Sequence, residues 1–448
     1  MDFSPQQAIL TLGDAFYDPV APADFPQTIL RFRNDRAAAT VGLEGLSDEQ
    51  WIAHFGRFQP FEGSLPRPLA LRYHGHQFRV YNPDIGDGRG FLFAQMTGED
   101  GRLMDFGTKG SGQTPWSRFG DGRLTLKGGV REILATEMLQ ALGVNTSKTF
   151  SLIETGEALH RGDEPSPTRS AVMVRLSHSH VRIGTFQRLA YLKDTESMQA
   201  LVDYVLRNLY TVDPGENPAL TLLQNFIPRC AELAASYMIA GFVHGVLNTD
   251  NINLTGESFD YGPWRFTPEW EPGFTAAYFD QQGLYAFGRQ PEAIFWNVMQ
   301  LAGTLRLLSD EAPLIAALDT FPDAYEAALT AAMMRRLGIA ATPLANPAAL
   351  ILAIDSTLRE TRLPIDRFFF DSFGGRAPDG AAFDEIRALI ADFVPVRTRD
   401  HPYWSDAGPC SMHIEEVEAI WSAIDERDDW GPLHAKVAAI RRMGTALA

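Results

Sequence analysis

Hydrophobic positions are spaced differently in the two halves of the chain. In the first half, short apolar runs bounded by Gly, Asp and Pro predict strands, which are Phe91–Met96, Leu103–Thr108, Thr149–Glu154 and Ala171–Leu176. In the second half, apolar residues recur every three or four positions and predict helices, among them Met198–Tyr210, Pro228–Phe242, Ala293–Leu308, Ile414–Ile424 and His434–Met443. One further helix, 129–142, lies within the strand-rich half. The pattern predicts an α+β chain, with a strand-rich region over 1–192 and a helical region over 193–448.

Three details of this pattern are specific enough to be tested. Pro228 is expected in the first turn of its helix, where a missing N–H costs least. Phe368–Gly375 is expected to form a Phe-rich turn. Residues 1–70 are rich in Pro and aromatic side chains without a clear period, and are expected to wrap onto the strand-rich region.

The densest group of polar chemistry lies between Gly241 and Pro263, directly after a predicted helix. Asn and Asp residues crowd this stretch, at 248, 250, 251, 253 and 260. Short amide and carboxylate side chains are oxygen ligands for a hard cation such as Mg²⁺. An Asn followed by an Asp-x-Gly step is also how protein kinases hold Mg²⁺ on ATP phosphates. The alternative is a surface turn, because Asn, Asp and Gly favour turns.

Two elements of the strand-rich half could bind an anion. The stretch Gly86–Gly90 is a Gly-rich turn that contains Arg89, so backbone N–H groups and a guanidinium could approach phosphate together. Lys109 ends a predicted strand beside a second Gly-rich loop, as the phosphate-binding lysine of kinases does. An ordinary hairpin turn and a solvated lysine are the alternatives.

Further charged candidates lie on the helix 129–142 and after it. This helix carries Glu132 and Glu137, and hydrophobic periodicity does not decide which of them would pair with a lysine. Arg175 and Arg182 flank a polar segment and could hold phosphate oxygens through bidentate contacts. Two surface arginines in salt bridges are the more common arrangement.

Composition narrows the function classes. The chain has 448 residues and a net charge of −17, which argues against a nucleic acid or an anionic membrane as its main partner. Its two cysteines exclude a disulfide framework and a Cys-based zinc site. We find no signal peptide and no long apolar stretch, and therefore expect a cytoplasmic protein without a membrane span.

The motifs together resemble the selenoprotein O family, also called the YdiU-like family. The matching segments cover about residues 10–305 in order, and they are YHGHQF at 73–78, GDGR at 86–89, KGSG-x-TP-x-SR at 109–118, DGR at 121–123, RE at 131–132, HGVLNTDN at 244–251 and DYGP at 260–263. The resemblance implies a bilobal protein-kinase-like fold, with a strand-rich N-terminal lobe and a helical C-terminal lobe. It implies a protein adenylyltransferase that binds ATP in a flipped orientation and moves AMP to Ser, Thr or Tyr hydroxyls, with Mg²⁺ or Mn²⁺ as the metal.

The resemblance also implies roles for individual residues. Asp250 would be the catalytic base, and Asn251 and Asp260 would bind the metal. Glu132 rather than Glu137 would pair with Lys109. The nucleotide would be held by the remaining matched positions, which are Gly86, Gly88, Arg89, Lys109, Asp121, Gly122, Arg175 and Arg182.

Several positions depart from the family pattern. Arg79 stands where a Gly is expected, and no Cys lies between Phe274 and Asp280 to form the family's regulatory disulfide. The chain beyond about residue 395 lacks the expected pattern.

Two other functions stay open: a kinase-like phosphotransferase, and a pseudokinase scaffold that binds nucleotide without turnover. Val246 stands where the kinase catalytic aspartate would be, which weakens the first of these.

Overall fold

Strands and helices alternate in the first part of the chain, and helices dominate the rest. The computed structural model describes residues 3–162 and 164–448. The strands are β1 Pro5–Gln6, β2 Tyr17–Pro19, β3 Ile29–Arg33, β4 Leu69–Leu71, β5 Gly75–Gln77, β6 Val80–Asn82, β7 Leu92–Thr97, β8 Leu103–Lys109, β9 Leu124–Thr125, β10 Lys148–Leu159, β11 Thr168–Ser177, β12 Phe242–Val243, β13 Arg265–Phe266, β14 Ile339–Ala341 and β15 Phe393–Pro395.

The helices follow the predicted distribution. They are α1 Asp35–Ala39, α2 Asp48–Phe55, α3 Leu126–Ala141, α4 Ile183–Leu192, α5 Thr195–Tyr204, α6 Pro218–Ala240, α7 Gln290–Leu305, α8 Glu311–Leu318, α9 Phe321–Leu337, α10 Pro347–Thr361, α11 Ile365–Ser372, α12 Asp384–Ile390, α13 Ile414–Arg427 and α14 Gly431–Leu447. A π-helical segment, Val205–Tyr210, continues α5. The expectation of a mixed α/β fold is confirmed. None of the helices in the described residues is long and apolar enough to cross a bilayer.

The central sheet is antiparallel and brings the predicted strands together. Its strands run in the order β2-β4-β7-β8-β11-β10-β3, with β1 added beside β7 and β9 beside β11. Arg175 on β11 pairs with Gly107 on β8, two residues before Lys109. Because side chains two apart on a strand point to the same face, the Lys109 and Arg175 side chains share one face of the sheet.

Helix α3 packs on this sheet and begins at a capped turn. The Thr125 hydroxyl accepts a hydrogen bond from the Gly128 N–H at 3.1 Å, which satisfies one of the free donors of the first turn. Its apolar residues belong to a core shared with α5, α6, α7, α13 and α14. The helix therefore lies between the sheet and the helical part of the chain.

The N-terminal seventy residues are more ordered than their sequence suggests. They contribute β1–β4 to the sheet, and Trp51 and Phe55 of α2 are completely buried with Phe150 in a separate aromatic core. The Trp51 and Phe150 rings stack with centroids 4.8 Å apart. These contacts link residues far apart in sequence, so no local period announces them.

Two of the local predictions are wrong. Pro228 lies inside α6, which begins at Pro218 with Asn217 as its cap. Pro228 is on the exposed side, where water can reach the carbonyl freed by its missing N–H, and the buried side of α6 continues past it. The Phe-rich segment is helical in α11, because Phe368, Phe369 and Phe370 are all buried, and the turn comes only after Ser372.

Candidate active site

A cavity of about 670 Å³ opens between the sheet, the Gly-rich turn and the Asn/Asp stretch. Most of the residues implied by the resemblance line it, namely Gly86, Gly88, Arg89, Lys109, Asp121, Gly122, Arg175, Arg182, Asp250 and Asp260. Glu132 lies behind Lys109, and Asn251 lies beside Asp250 without lining the cavity. The fold thus gathers residues that are up to 174 positions apart (86 to 260) in one place.

Lys109 is the centre of a buried charge network. Its Nζ is 2.5 Å from Glu132 Oε1 and 2.9 Å from Asp260 Oδ1. Arg175 Nη2 approaches the same Asp260 oxygen at 3.3 Å. Burial alone would raise the pKa of Asp260, but Lys109 and the nearby arginines hold it well below its ordinary value. Asp260 therefore presents an ionised carboxylate to the cavity.

The two glutamates of α3 have separate partners. Glu132 contacts Lys109, whereas Glu137 is held by Arg441 of α14, with Nε–Oε2 at 2.8 Å and Nη2–Oε1 at 2.5 Å. Both carboxylates are buried. The helix lies between two charged partners, which explains why its hydrophobic period alone did not separate the two glutamates.

Arg182 is fixed from several sides. Its guanidinium lies 4.3 Å from the Tyr73 ring centroid and 5.1 Å from that of Phe259. Nη2 is 3.2 Å from Asp87 Oδ1, and Nη1 donates to the backbone carbonyl of Asp250 at 3.2 Å. These contacts hold the Arg182 charge beside Asp250 and leave one of its N–H groups without a partner.

Several buried polar atoms of the cavity have no hydrogen-bond partner among the described residues. Among them are Arg175 Nε and Nη1, Arg182 Nε and Asp250 Oδ1. Leaving a buried donor or acceptor unpaired costs about 1–3 kcal/mol. Such a concentration of unpaired cationic donors in one cavity is expected where an anionic ligand completes the hydrogen bonds.

Asp250 lies in a single 3₁₀ turn, Thr249–Asn251, that is held by neighbouring segments. The Thr249 hydroxyl donates to Gln187 Oε1 at 2.6 Å and accepts from the His76 N–H at 2.7 Å. Burial raises the pKa of Asp250 to about 6, although Arg182 opposes the shift. A carboxylate with this pKa can accept a proton near neutral pH.

Asn251 and Asp260 carry oxygen atoms of the kind that bind a hard cation. Asn251 donates its Nδ2 to the Val246 carbonyl at 3.0 Å, an interaction that leaves its amide oxygen free to face a ligand. In residues 3–162 and 164–448, His, Cys, Asp and Glu do not form a group of three or more that could hold a metal by themselves. A metal here would complete its shell with phosphate oxygens and water, as Mg²⁺ commonly does.

Three glycines in the cavity wall stand where a side chain would collide with a neighbouring loop. A Cβ on Gly86 would lie 2.6 Å from the Trp116 ring, and one on Gly88 would lie 2.8 Å from the Trp116 carbonyl oxygen. Gly122 has a φ of +69° and touches the Gly112 backbone. These residues let two loops pack closely at the cavity wall.

The outer end of the cavity carries a further ion pair. Asp121 lies there and contacts Arg161 through two N–O distances of 2.8 and 3.1 Å. Burial opposes the shift, but the Arg161 hydrogen bonds lower the pKa of Asp121. Asp121 is therefore paired with Arg161 in the cavity wall.

The lining residues that received no role from the sequence include Asp87, Arg161 and His180. Asp87 lies inside the Gly-rich turn, so its position beside Arg89 was a usable signal. His180 is fully buried, with neither ring nitrogen hydrogen-bonded among the described residues, and its ring occupies the space that a Cβ on Gly107 would need. Nothing local in the sequence indicated Arg161.

A known protein family matches most of this chain. The family model described as protein adenylyltransferase SelO matches residues 1–378. The chain belongs to the SelO family. Membership makes it a nucleotidyltransferase and implies ATP as a substrate, a divalent metal and protein acceptors.

SelO-family relatives extend the match to the C-terminus. The protein nucleotidyltransferase YdiU of Gloeobacter violaceus is 45% identical over 472 aligned positions, which cover 99% of this chain and 95% of the relative. That of a Synechocystis strain is 41% identical and covers 98% of both chains. The Vibrio cholerae protein is 37% identical over 73% of this chain. The C-terminal helices beyond the family model are therefore included in the alignments with the first two relatives.

Proposed function

We propose that this SelO-family protein transfers AMP from Mg²⁺–ATP to a Ser, Thr or Tyr hydroxyl of a protein and releases pyrophosphate. In this proposal the chain is bilobal and kinase-like, with residues 1–192 as the nucleotide-binding lobe and 193–448 as the helical lobe. The cavity would be the cleft that holds ATP. Mn²⁺ could replace Mg²⁺, and the strongly negative net charge supports a protein rather than a nucleic acid as acceptor.

The observation that carries this proposal is the presence of unpaired N–H groups on two arginines that line the cavity. Arg175 and Arg182 are both 5% exposed and keep free N–H groups, although each also contacts a carboxylate. An adenosine has no anionic group to occupy them. A triphosphate does, and a leaving pyrophosphate needs the most compensation because negative charge builds on it during transfer.

The roles of the remaining residues follow from the same chemistry. Lys109 and Arg89 would neutralise phosphate oxygens, with backbone N–H groups near Gly86, Gly88 and Gly122 assisting. Asp121 would contact the outer part of the nucleotide. Asn251 and Asp260 would hold the metal, which supplies charge stabilisation to the phosphates when bound.

Asp250 is the proposed general base. Its carboxylate would accept the proton of the acceptor hydroxyl as the hydroxyl oxygen attacks the α-phosphorus. The bond between the α-phosphorus and the bridging oxygen to the β-phosphate breaks, and pyrophosphate leaves. Asp250 lines the cavity, and its pKa of about 6 supports this role, since a base with this pKa can accept a proton near neutral pH.

The decisive experiment follows the two labels of ATP separately. With Mg²⁺ and a lysate or the protein itself as acceptor, label from the α-phosphate should appear on protein with pyrophosphate as co-product. Asp250→Asn should lose this transfer while keeping most ATP binding, because a base acts mainly in the transition state. Asp84→Asn, which changes an exposed acid in a neighbouring loop, should behave like the wild type.

Two outcomes would overturn the proposal. Label from the γ-phosphate on the acceptor, with ADP released, would identify a kinase-like phosphotransferase. Tight ATP binding without any turnover in the presence of Mg²⁺ or Mn²⁺ would identify a nucleotide-binding scaffold. An Asp250→Asn variant with unchanged rate would leave the reaction in place but remove Asp250 from it.

A further inference from the structure

The last two helices form a hairpin that docks on α3 and the nearby sheet edge. This C-terminal hairpin consists of α13 and α14, residues 414–447. Its apolar residues belong to the same core as the buried side of α3. At the point of closest approach, a Cβ on Gly444 would lie 3.2 Å from the Ala141 Cβ. Helices α3 and α14 therefore pack more closely there than larger side chains would allow.

Polar contacts reinforce this docking along the whole hairpin. Glu418 of α13 accepts from Lys127 of α3 at 2.7 Å. At the loop between the two helices, Asp428 is 2.7 Å from Arg169 and 3.2 Å from Arg31. The hairpin is thus joined to α3 and to two strands of the central sheet.

The most buried of these contacts is between Arg441 and Glu137. Arg441 donates two hydrogen bonds to the Glu137 carboxylate, at 2.8 and 2.5 Å, and a third to Asn34 Oδ1 at 3.2 Å. The Glu137 side chain is 6% exposed. A bidentate guanidinium–carboxylate pair fixes direction as well as distance, so it holds α3 in rotation about its axis.

That rotation matters because the same helix presents Glu132 to Lys109. Glu132 and Glu137 are five residues apart, which places them about 140° apart around an α-helix. Arg441 therefore holds α3 on one side while Lys109 holds it on another. Arg131, also on α3, makes a third contact, in which its Nη2 donates to the Trp264 carbonyl at 2.9 Å.

Lys109 has an alternative partner if α3 shifts. Asp260 Oδ1 is already 2.9 Å from Lys109 Nζ, compared with 2.5 Å for Glu132. Withdrawal of Glu132 would leave Lys109 paired with Asp260 alone. The lysine and the carboxylate would then neutralise each other instead of facing phosphate and metal.

We propose that Arg441 is a positioning residue for nucleotide transfer, acting through Glu137 and α3 to keep Glu132 on Lys109. The inference rests on the proposed function to the extent that Lys109 and Asp260 bind Mg²⁺–ATP. It assigns a catalytic consequence to the C-terminal hairpin, which lies outside the part of the chain that matches the SelO family model.

The chain offers a matched pair of variants for the test. Arg441→Gln removes the contact with Glu137. Arg442→Gln removes the neighbouring arginine of the same helix, whose partner is Asp406 at 2.5 and 3.0 Å and not α3. We expect Arg441→Gln to lower kcat by about 10- to 100-fold with a smaller change in the KM for ATP, as for a misplaced catalytic group. Arg442→Gln should stay within about twofold of the wild type.

A double-mutant cycle separates positioning from simple stability. In a Glu132→Gln background, Arg441→Gln should cause no further loss of kcat, because the residue through which it acts has already been removed. Arg441→Lys should restore part of the rate. Unfolding midpoints for every variant establish that rates are compared between folded proteins, and Glu137→Gln, which changes the other partner, should reproduce the Arg441→Gln defect.

Two results would overturn the inference. One is a folded Arg441→Gln or Glu137→Gln protein with wild-type kcat. The other is a loss of kcat of equal size in the wild-type and Glu132→Gln backgrounds. The rate is measured as total ATP-derived label transferred, from either phosphate. A failure of the AMP assignment would then change the identity of the label, whereas a failure of this inference would change only the ratios between variants.

Discussion

Two charged cavities are connected with helix α3, the larger through the Lys109–Glu132 ion pair and the smaller through its lining residue Glu137. They differ in whether their polar groups are satisfied. The larger, of about 670 Å³, contains Lys109 and the arginine donors that have no partner. The smaller, of about 230 Å³, is lined by Glu137, Lys148, Glu257 and Arg441. There Glu137 is paired with Arg441, Lys148 donates to the Thr146 carbonyl, and Glu257 accepts from the His178 N–H. Charged side chains of the same kinds thus leave unpaired donors in the larger cavity and form hydrogen-bonded pairs in the smaller one.

Glu257 in the smaller cavity and Asp260 in the larger cavity have pKa values shifted in opposite directions. Burial raises the pKa of Glu257 to about 7, with Lys148 opposing the shift, whereas surrounding cations hold the pKa of Asp260 well below its ordinary value. Surrounding positive charge keeps the Asp260 carboxylate ionised. Glu257, which has one lysine nearby, keeps its proton up to about pH 7. Burial alone therefore does not decide the pKa of a carboxyl group, because the surrounding charges also contribute.

The largest effect is expected from Asp260→Ala. Removing a charge-stabilising carboxylate should lower the transfer rate by about 10²–10³ or more, even at saturating Mg²⁺. Asp371→Ala is a matched control, because both side chains are 25% exposed and paired with an arginine. Initial rates of label incorporation would measure the difference. Equal rates for the two variants would remove Asp260 from the metal site.

Lys109 tests whether the network is catalytic, structural or both. The sequence suggested a lysine facing phosphate, but its side chain is only 5% exposed. Lys109→Ala should therefore lower both the rate and the free energy of unfolding, the latter by up to about 3–5 kcal/mol, because Glu132 is left buried without its partner. Lys109→Ala combined with Glu132→Ala should recover much of the stability in urea titrations without recovering activity. Recovery of activity in that double variant would contradict the proposed role of Lys109.

The pH dependence of stability tests the protonation of Glu257 in the smaller cavity. Its pKa in the folded protein, about 7, is above the ordinary value of 4.5. Between these values the folded state retains a proton that the unfolded state releases, so this group makes stability fall as pH rises from about 4.5 to about 7. Wild type and Glu257→Gln should differ by a free energy that changes by on the order of 1–3 kcal/mol between pH 5 and pH 8. A constant difference would indicate that Glu257 is ionised throughout.

The smallest effect is expected from redox state. Cys230 is completely buried, Cys410 is half-buried, and both are free thiols. Burial raises the pKa of each thiol, which disfavours the reactive thiolate. Transfer rates should agree with and without a thiol reductant. A reductant-dependent change that disappears in Cys410→Ser would show that the more accessible thiol controls activity.

Much of the candidate site could be predicted because its signals are local. Strand endings, Gly-rich turns and a crowded Asn/Asp stretch each occupy a few consecutive residues, and the motifs added their order along the chain. The choice between Glu132 and Glu137 could not be made from helical periodicity, since both sides of α3 are buried. Pro228 was placed wrongly because a local rule for helix starts ignored the buried stripe that continues through it.

By itself, the sequence determined the mixed α/β class, the four longest strands and six of the helices, and the types of residue available for nucleotide and metal chemistry. Periodicity and turn composition report these features because they depend on neighbours one to four positions away. Only the tertiary structure decided which charges meet: Lys109 with Glu132 and Asp260, and Glu137 with Arg441, 304 residues away. It also decided which donors remain unpaired. Those outcomes depend on strand order and helix docking, which bring together residues with no local signal of each other.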